Sequence, residues 1–196
     1  MKLRLFATAL AAFVLSSAAA HAQIGVYLNP VAIRISNSVA DTGPFAFLGQ
    51  NSKSQVMYGY MLGGYDDFFH SGKLNAGIDM RLEDLHANGA MLRDFFLGVR
   101  VSGTPFTRPI TPYAQAAVGA MTTKAPNSTV HTTKGGYMIS AGADYRLAKH
   151  VDFRMLEIGY GSLTTVSSET VGSGGNRSIP AAKMLSFSSG LVFRFK

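Results

Sequence analysis

The chain contains no cysteine and no tryptophan. Without cysteine it has no disulfides and no residue that could be lipidated as a membrane anchor. Without tryptophan, any aromatic belt at a membrane surface must be built from Tyr and Phe. No stretch approaches the roughly 20 consecutive apolar residues that a membrane-spanning helix requires. Acidic residues are scarce, 11 against 18 basic ones. The basic residues form no run and show no finger spacing, so nothing resembles a nucleic-acid module.

The first residues are distinctive. Lys2 and Arg4 precede an apolar run from Leu5 to Leu15, and Ala20-His21-Ala22 forms a small-residue cleavage site. This is the pattern of a secretory signal peptide, not of an anchor. Residues 1–22 are therefore expected to be removed, which leaves 23–196 as one domain by length. The exported part keeps an excess of positive charge. That excess suits contact with anionic outer-membrane lipid or lipopolysaccharide, and equally a solvated surface with no specific partner.

Residues 74–83 read Leu-Asn-Ala-Gly-Ile-Asp-Met-Arg-Leu-Glu. Apolar residues alternate with polar residues or Gly, a period of 2 that a helix cannot use. Ala76, Ile78, Met80 and Leu82 share one face; Asp79, Arg81 and Glu83 share the other. Eight such segments are predicted: 24–36, 54–64, 74–83, 91–102, 111–121, 135–147, 151–160 and 181–195. Most reach the roughly 9–11 residues of a tilted membrane strand, whereas strands of soluble proteins usually run about 5–6. In the fourth, Phe95, Leu97, Val99 and Val101 oppose Asp94, Arg100 and Ser102. In the sixth, Asp144 and Arg146 lie on the polar face. In the seventh, Asp152 and Arg154 share a parity that Glu157 breaks, which predicts a bulge near Met155 and Leu156. Alternation alone does not say which face points inward. Gly77, Gly98, Gly119 and Gly142 all lie on the polar face. A crowded interior needs small residues and a solvated exterior does not, so the polar face is expected inside.

The connections alternate in predicted length. Asn37–Lys53, Asp84–Ala90, Thr122–Lys134 and Gly161–Pro180 form one set, the longer in total; Tyr65–Lys73, Gly103–Ile110 and Ala148–His150 are the intervening ones. Long loops at one end and short turns at the other is the outer-membrane arrangement, with the short turns in the periplasm.

Together with the ending Leu185-Ser-Phe-Ser-Ser-Gly-Leu-Val-Phe-Arg-Phe195, these features resemble the small eight-stranded outer-membrane barrels of the OmpA transmembrane-domain and OmpX-like group. The resemblance implies an all-β fold: a closed eight-stranded antiparallel transmembrane barrel in the outer membrane of a Gram-negative-type bacterium. It implies recognition by the barrel-assembly machinery through Leu191, Phe193 and Phe195, although Lys196 follows the terminal Phe of the family's signal. Tyr65, Phe68, Phe69, Phe106, Tyr145, Phe153, Phe193 and Phe195 are expected at the periplasmic rim.

The inward polar residues, Asp79, Arg81, Glu83, Asp94, Arg100, Asp144, Arg146 and Arg154, are read as an ion-pair network filling the lumen, since buried charges must be paired or hydrated. No catalytic, cofactor or metal site is expected. His131 near Ser128, and His150 in a turn, lack the His-x-Ser spacing that lipid A deacylases of this architecture resemble. His70 and His86 show no metal-ligand spacing. The leading expectation is a non-enzymatic barrel whose long loops contact a surface ligand. The alternatives are a small passive pore, a lipid A-modifying barrel enzyme, and a soluble periplasmic barrel of lipocalin type. The Gly-x-Trp signature of the last is impossible without Trp.

Overall fold

The computed structural model describes residues 23–42, 45–103, 109–163 and 181–195. They form eight strands: β1 (Gln23–Asp41), β2 (Ser52–Ser71), β3 (Leu74–Ala87), β4 (Ala90–Gly103), β5 (Ile110–Lys124), β6 (His131–Ala148), β7 (Val151–Leu163) and β8 (Ala182–Phe195). Each runs antiparallel to its neighbours, and β1 pairs with β8, so the sheet closes into a barrel. The expected signal peptide, Phe106 and most of 161–180 lie outside the described residues.

The strands are longer than the apolar alternation predicts, up to 20 residues in β2. In β5 and β6 polar β-branched residues carry the ladder beyond the apolar part. At one such place Thr122 and Thr133 pair across β5 and β6, their hydroxyls 2.9 Å apart. The connections shrink accordingly. The expected loop Asp84–Ala90 is a two-residue turn, Asn88-Gly89, with φ of 47° and 80°. Two successive positive φ values are what a type I′ hairpin demands, and Asn-Gly supplies them at least cost. At this end of the barrel, far from the termini, the other connections are 42–51, 125–130 and 164–181.

Following register partners once round the ring from Ile24 returns to β1 at Arg34, ten residues further along. With a rise of about 3.3 Å per residue and strands about 4.8 Å apart, that stagger tilts the strands by about 40°. The interior is then just wide enough for side chains to fill.

The exterior is apolar. Leu28, Tyr58, Leu97, Val118, Ile139 and Phe187 all point out and are exposed. Ile78, Met80 and Leu82 lie on the same outer face, while Asp79, Arg81 and Glu83 are about 1% exposed inside. On β3 the apolar band runs from Leu74 to Leu82, about 20 Å along the barrel axis at this tilt, close to the ~25 Å of a membrane barrel. Arg34, Ser54, Asp84, Arg93, Thr122, Ser162 and Lys183 mark its far edge. A soluble barrel of lipocalin type would have the two faces exchanged.

Two bulges re-aim side chains. In β7, Arg154 faces Gly190 and Glu157 faces Ser188, so Met155 and Leu156 together oppose Ser189. Both turn outward, and Arg154 and Glu157 both turn inward. In β2 the register slips between Asp67 and Phe69, which leaves Phe68 and Phe69 both exposed.

Candidate functional site: the barrel lumen

Inward parity brings Arg81 of β3, Arg100 of β4 and Arg154 of β7 together, each at most 1% exposed. Arg81 donates to Glu157 through both terminal nitrogens, at 2.8 and 3.4 Å, and its Nε lies 3.3 Å from Asp79. Arg154 donates to Asp144 at 3.0 Å and to Glu157 at 3.3 Å. Arg100 donates to Asp144 at 3.2 Å and lies 4.0 Å from Asp67, which also accepts from Ser102 at 3.1 Å. Asp144 thus joins Arg100 to Arg154, and Glu157 joins Arg154 to Arg81. The chain of contacts runs Asp79, Arg81, Glu157, Arg154, Asp144, Arg100, Asp67 across five strands.

Three tyrosines complete the layer. The Arg100 guanidinium sits between the rings of Tyr65 and Tyr113, 4.0 Å from each centroid. Arg154 lies over Tyr27 at 4.3 Å and Tyr113 at 4.7 Å. Such stacking suits a guanidinium, which is planar and weakly hydrated. The hydroxyl of Tyr113 donates to Glu157 at 2.6 Å, and that of Tyr27 to Asp79 at 3.0 Å. Glycines make the room. Tyr27 pairs with Gly63, Tyr65 with Gly25 and Tyr113 with Gly142. A Cβ at any of these glycines would run into the ring of its tyrosine. A glycine on one strand lets the aromatic ring of the next lie flat against the wall, under the arginine.

Other expected members stand apart. Glu83 and Asp94 are buried register partners, but no oxygen of either carboxylate finds a hydrogen-bond partner. Glu83 comes only within 3.9 Å of Arg81. Arg146 is exposed at the end that bears the termini, on the lining of a vestibule shared with Asp152, and among the described residues no carboxylate lies within 4 Å of it. There the cation is Arg194, 2.7 Å from Asp152, and this polar vestibule of about 180 Å³ opens between them and Arg100. Tyr65, expected at the rim, is a lumen residue instead. Its odd parity on β2 matches Asp67, and the β2 bulge beyond hides that signal. Phe68, Phe69, Tyr145, Phe153, Phe193 and Phe195 are exposed near the termini, where a rim belongs. Leu191, Phe193 and Phe195 form the outer face of β8 beside β1.

Beyond the charged layer the lumen turns apolar. Ile33, Ile35, Met57, Leu85, Leu92, Met121 and Met184 form one buried cluster, and Phe47 and Leu48 of the β1–β2 connection join it. Phe47 is wholly buried. Asp41 pins this inward fold, its carboxylate accepting the Leu48 N–H at 3.0 Å and its carbonyl the Asn51 N–H at 2.8 Å. The lumen is thus an ionic layer below an apolar stopper. His70, His86, His131 and His150 are exposed. Among the described residues no group of His, Asp and Glu could hold a metal ion.

Residues 5–195 match the model of the outer membrane protein beta-barrel domain. The chain belongs to this outer membrane β-barrel family. The family places it in the outer membrane of Gram-negative bacteria. Among solved structures it is similar to Neisserial surface protein A, at 15% identity and a TM-score of 0.57, over 88% of this chain and 97% of that one. It is also similar to Ail, the attachment invasion locus protein of Yersinia pestis. That match has 9% identity and a TM-score of 0.54, over 89% of this chain and 99% of that one. At such identities the likeness is one of fold. No curated protein matches the chain. In a barrel of this family the termini and short turns face the periplasm and the longer connections face outward.

Proposed function

We propose that this outer membrane barrel is a closed, non-enzymatic protein that acts at the cell surface through its outward connections, and that it reaches the membrane after loss of residues 1–22 and assembly through Leu191, Phe193 and Phe195. The observation that carries the reading is the double seal of the lumen. The arginine–tyrosine layer fills its periplasmic part, and Phe47 sits in the apolar part above. Such filling, among the described residues, supports a lumen that passes no solutes and holds no substrate beyond the small periplasmic vestibule. The exposed histidines support the same reading. His86 pairs with Asp84 at 3.0 Å and His150 with the Arg194 carbonyl at 3.2 Å, and neither addresses a serine. The connection 164–181 exceeds what closing a hairpin requires, and such extensions are where recognition is commonly placed.

The test replaces 164–180 by a two-residue turn and leaves the Phe47 stopper untouched. The shortened barrel is expected to insert and to keep its heat-modifiable gel mobility, while binding of the parent cells to surface ligands is lost. Planar bilayers containing the full protein are expected to show no large, steady conductance. A stable open channel, or a lipid A modification that persists in the shortened protein and vanishes with a Ser or His substitution, would refute the proposal.

A further inference from the structure

The lipid-facing wall carries a feature that neither the lumen nor the loops explain. Across β7, β8, β1 and β2 lies an open groove of about 580 Å³. Pro30, Ala32 and Ser189 form its floor; Tyr58 and Tyr60 rise on one side, Leu156 and Phe187 on the other. Its origin is local. Pro30 has no N–H to give to β8, and the β1–β8 register is interrupted between Leu28 and Val31. On the other edge of β8 the bulge at Met155 and Leu156 faces Ser189, whose hydroxyl turns back to the Arg154 carbonyl at 2.9 Å. Both edges of β8 are therefore loosened at the same height, and only small side chains cover the gap.

In a bilayer this apolar groove must hold hydrocarbon. What singles out one kind of lipid is the charge above it. On β1 the next outward residue beyond Ala32 is Arg34, and on β8 the next beyond Leu185 is Lys183. Arg34 faces Leu185 and Ser36 faces Lys183, so the two cations are diagonal neighbours across one strand pair, about 7–8 Å apart at the backbone. Both are exposed, and neither makes an ion pair among the described residues. Other edge positions differ: Arg93 is bound to Asp84 at 2.7 Å. Arg34 and Lys183 stand where the apolar band gives way to polar residues on the outward side, and the groove lies in the outward half of that band. That half faces the outer leaflet, whose lipid carries phosphates on a multiply acylated sugar.

We propose that this groove is a specific site for one lipid A moiety, with its phosphates on Arg34 and Lys183 and an acyl chain along Pro30, Ala32 and Ser189. The site rests on the chain's place in the outer membrane and is independent of what the loops bind. Two basic residues at a membrane surface should strengthen binding on the order of thirtyfold.

The experiment uses the full protein, purified in mild detergent and analysed by native mass spectrometry. Three probes are added: lipid A, lipid A stripped of its phosphates, and phosphatidylethanolamine. Wild-type protein is expected to retain one lipid A and to bind both other lipids at least tenfold more weakly. Arg34→Gln with Lys183→Gln should bring lipid A down to the level of the dephosphorylated form. Ala32→Leu, which fills the floor and leaves the charges, should weaken lipid A and dephosphorylated lipid A alike. Heat-modifiable mobility verifies that each variant is folded. Equal binding of lipid A with and without phosphates overturns the charge assignment and needs no variant. Retention unchanged by Ala32→Leu overturns the groove. A protein absent from the outer-membrane fraction would instead remove the location on which the site rests.

Discussion

Glu157 is the residue on which the lumen network turns, and removing it has a calculable consequence. Its carboxylate accepts from Arg81 at 2.8 Å, from Arg154 at 3.3 Å and from Tyr113 at 2.6 Å, and it is 1% exposed. Glu157→Ala leaves two guanidinium groups short of an acceptor where water does not reach. Breaking a buried pair from one side typically costs about 3–5 kcal/mol. Here Arg81 keeps Asp79 and Arg154 keeps Asp144, so the lower end, about 3 kcal/mol, is expected. Removing both partners should hurt less than the sum. In Arg81→Met with Glu157→Leu that contact loses both of its charges, Asp79 keeps the Tyr27 hydroxyl and Arg154 keeps Asp144, and the coupling should be about 1–3 kcal/mol. The assay is equilibrium urea unfolding in lipid bilayers, read by gel mobility and circular dichroism. A loss below about 1 kcal/mol for Glu157→Ala, or strict additivity in the double variant, would show that the contacts do not hold the barrel together.

Gly142→Ala places a methyl group against the Tyr113 hydroxyl and the Leu156 carbonyl, so it should destabilise by about 1–3 kcal/mol in the same assay. Gly135→Ala on the same strand meets only the Gly119 carbonyl, at 4.0 Å, and should be nearly neutral. Asp94→Leu removes a buried carboxylate that has no hydrogen-bond partner, and an apolar residue there joins Leu85 and Leu92. It should stabilise the barrel, by about 1–2 kcal/mol on unfolding. Ile78→Arg, near the middle of the apolar band on β3, should cost about 2–4 kcal/mol, and Leu74→Arg at its edge about 1 or less. Equal costs at the two positions would contradict the placement of the membrane.

The fold was legible because period-2 alternation states strand direction, length and facing at once. Eight segments with that period, an even number, are enough for a closed antiparallel ring, and the ring is found. The strand ends were less legible. Apolar alternation stops where the membrane stops, but the hydrogen-bonded ladder does not: β6 begins at His131, four residues before the expected start at Gly135. The Asn88-Gly89 dipeptide was the strongest turn signal in the chain, and it contradicts a seven-residue loop there. The apolar stopper was harder to foresee. Phe47 lies in a stretch with no period, and its burial depends on the shape of a mouth that only the closed barrel creates.

The charged layer was legible where parity held and obscure where it failed. Asp79, Arg81, Asp94 and Arg100 follow unbroken alternation, and their inward positions come straight from it. Glu157 does not. Counted from Arg154 it falls on the outward face, so parity alone assigns it to lipid, although the same mismatch marks a bulge. The structure ties the two readings together. The extra residue at Met155 turns Glu157 inward, into reach of Arg81 and Tyr113. The same insertion leaves Leu156 outside beside a loosened β8, as one wall of the lipid-facing groove. One irregularity in β7 therefore acts on both faces of a wall one residue thick. Deleting Met155 would remove the bulge and close the groove, yet keep Glu157 in the lumen, because Leu156 alone would then stand outward between inward Arg154 and inward Glu157. A barrel lacking Met155 should thus keep the stability that Glu157 confers and lose the preference for lipid A, whereas Glu157→Ala should do the reverse. If that substitution alone abolished lipid A binding, the two faces would be coupled by something other than the bulge.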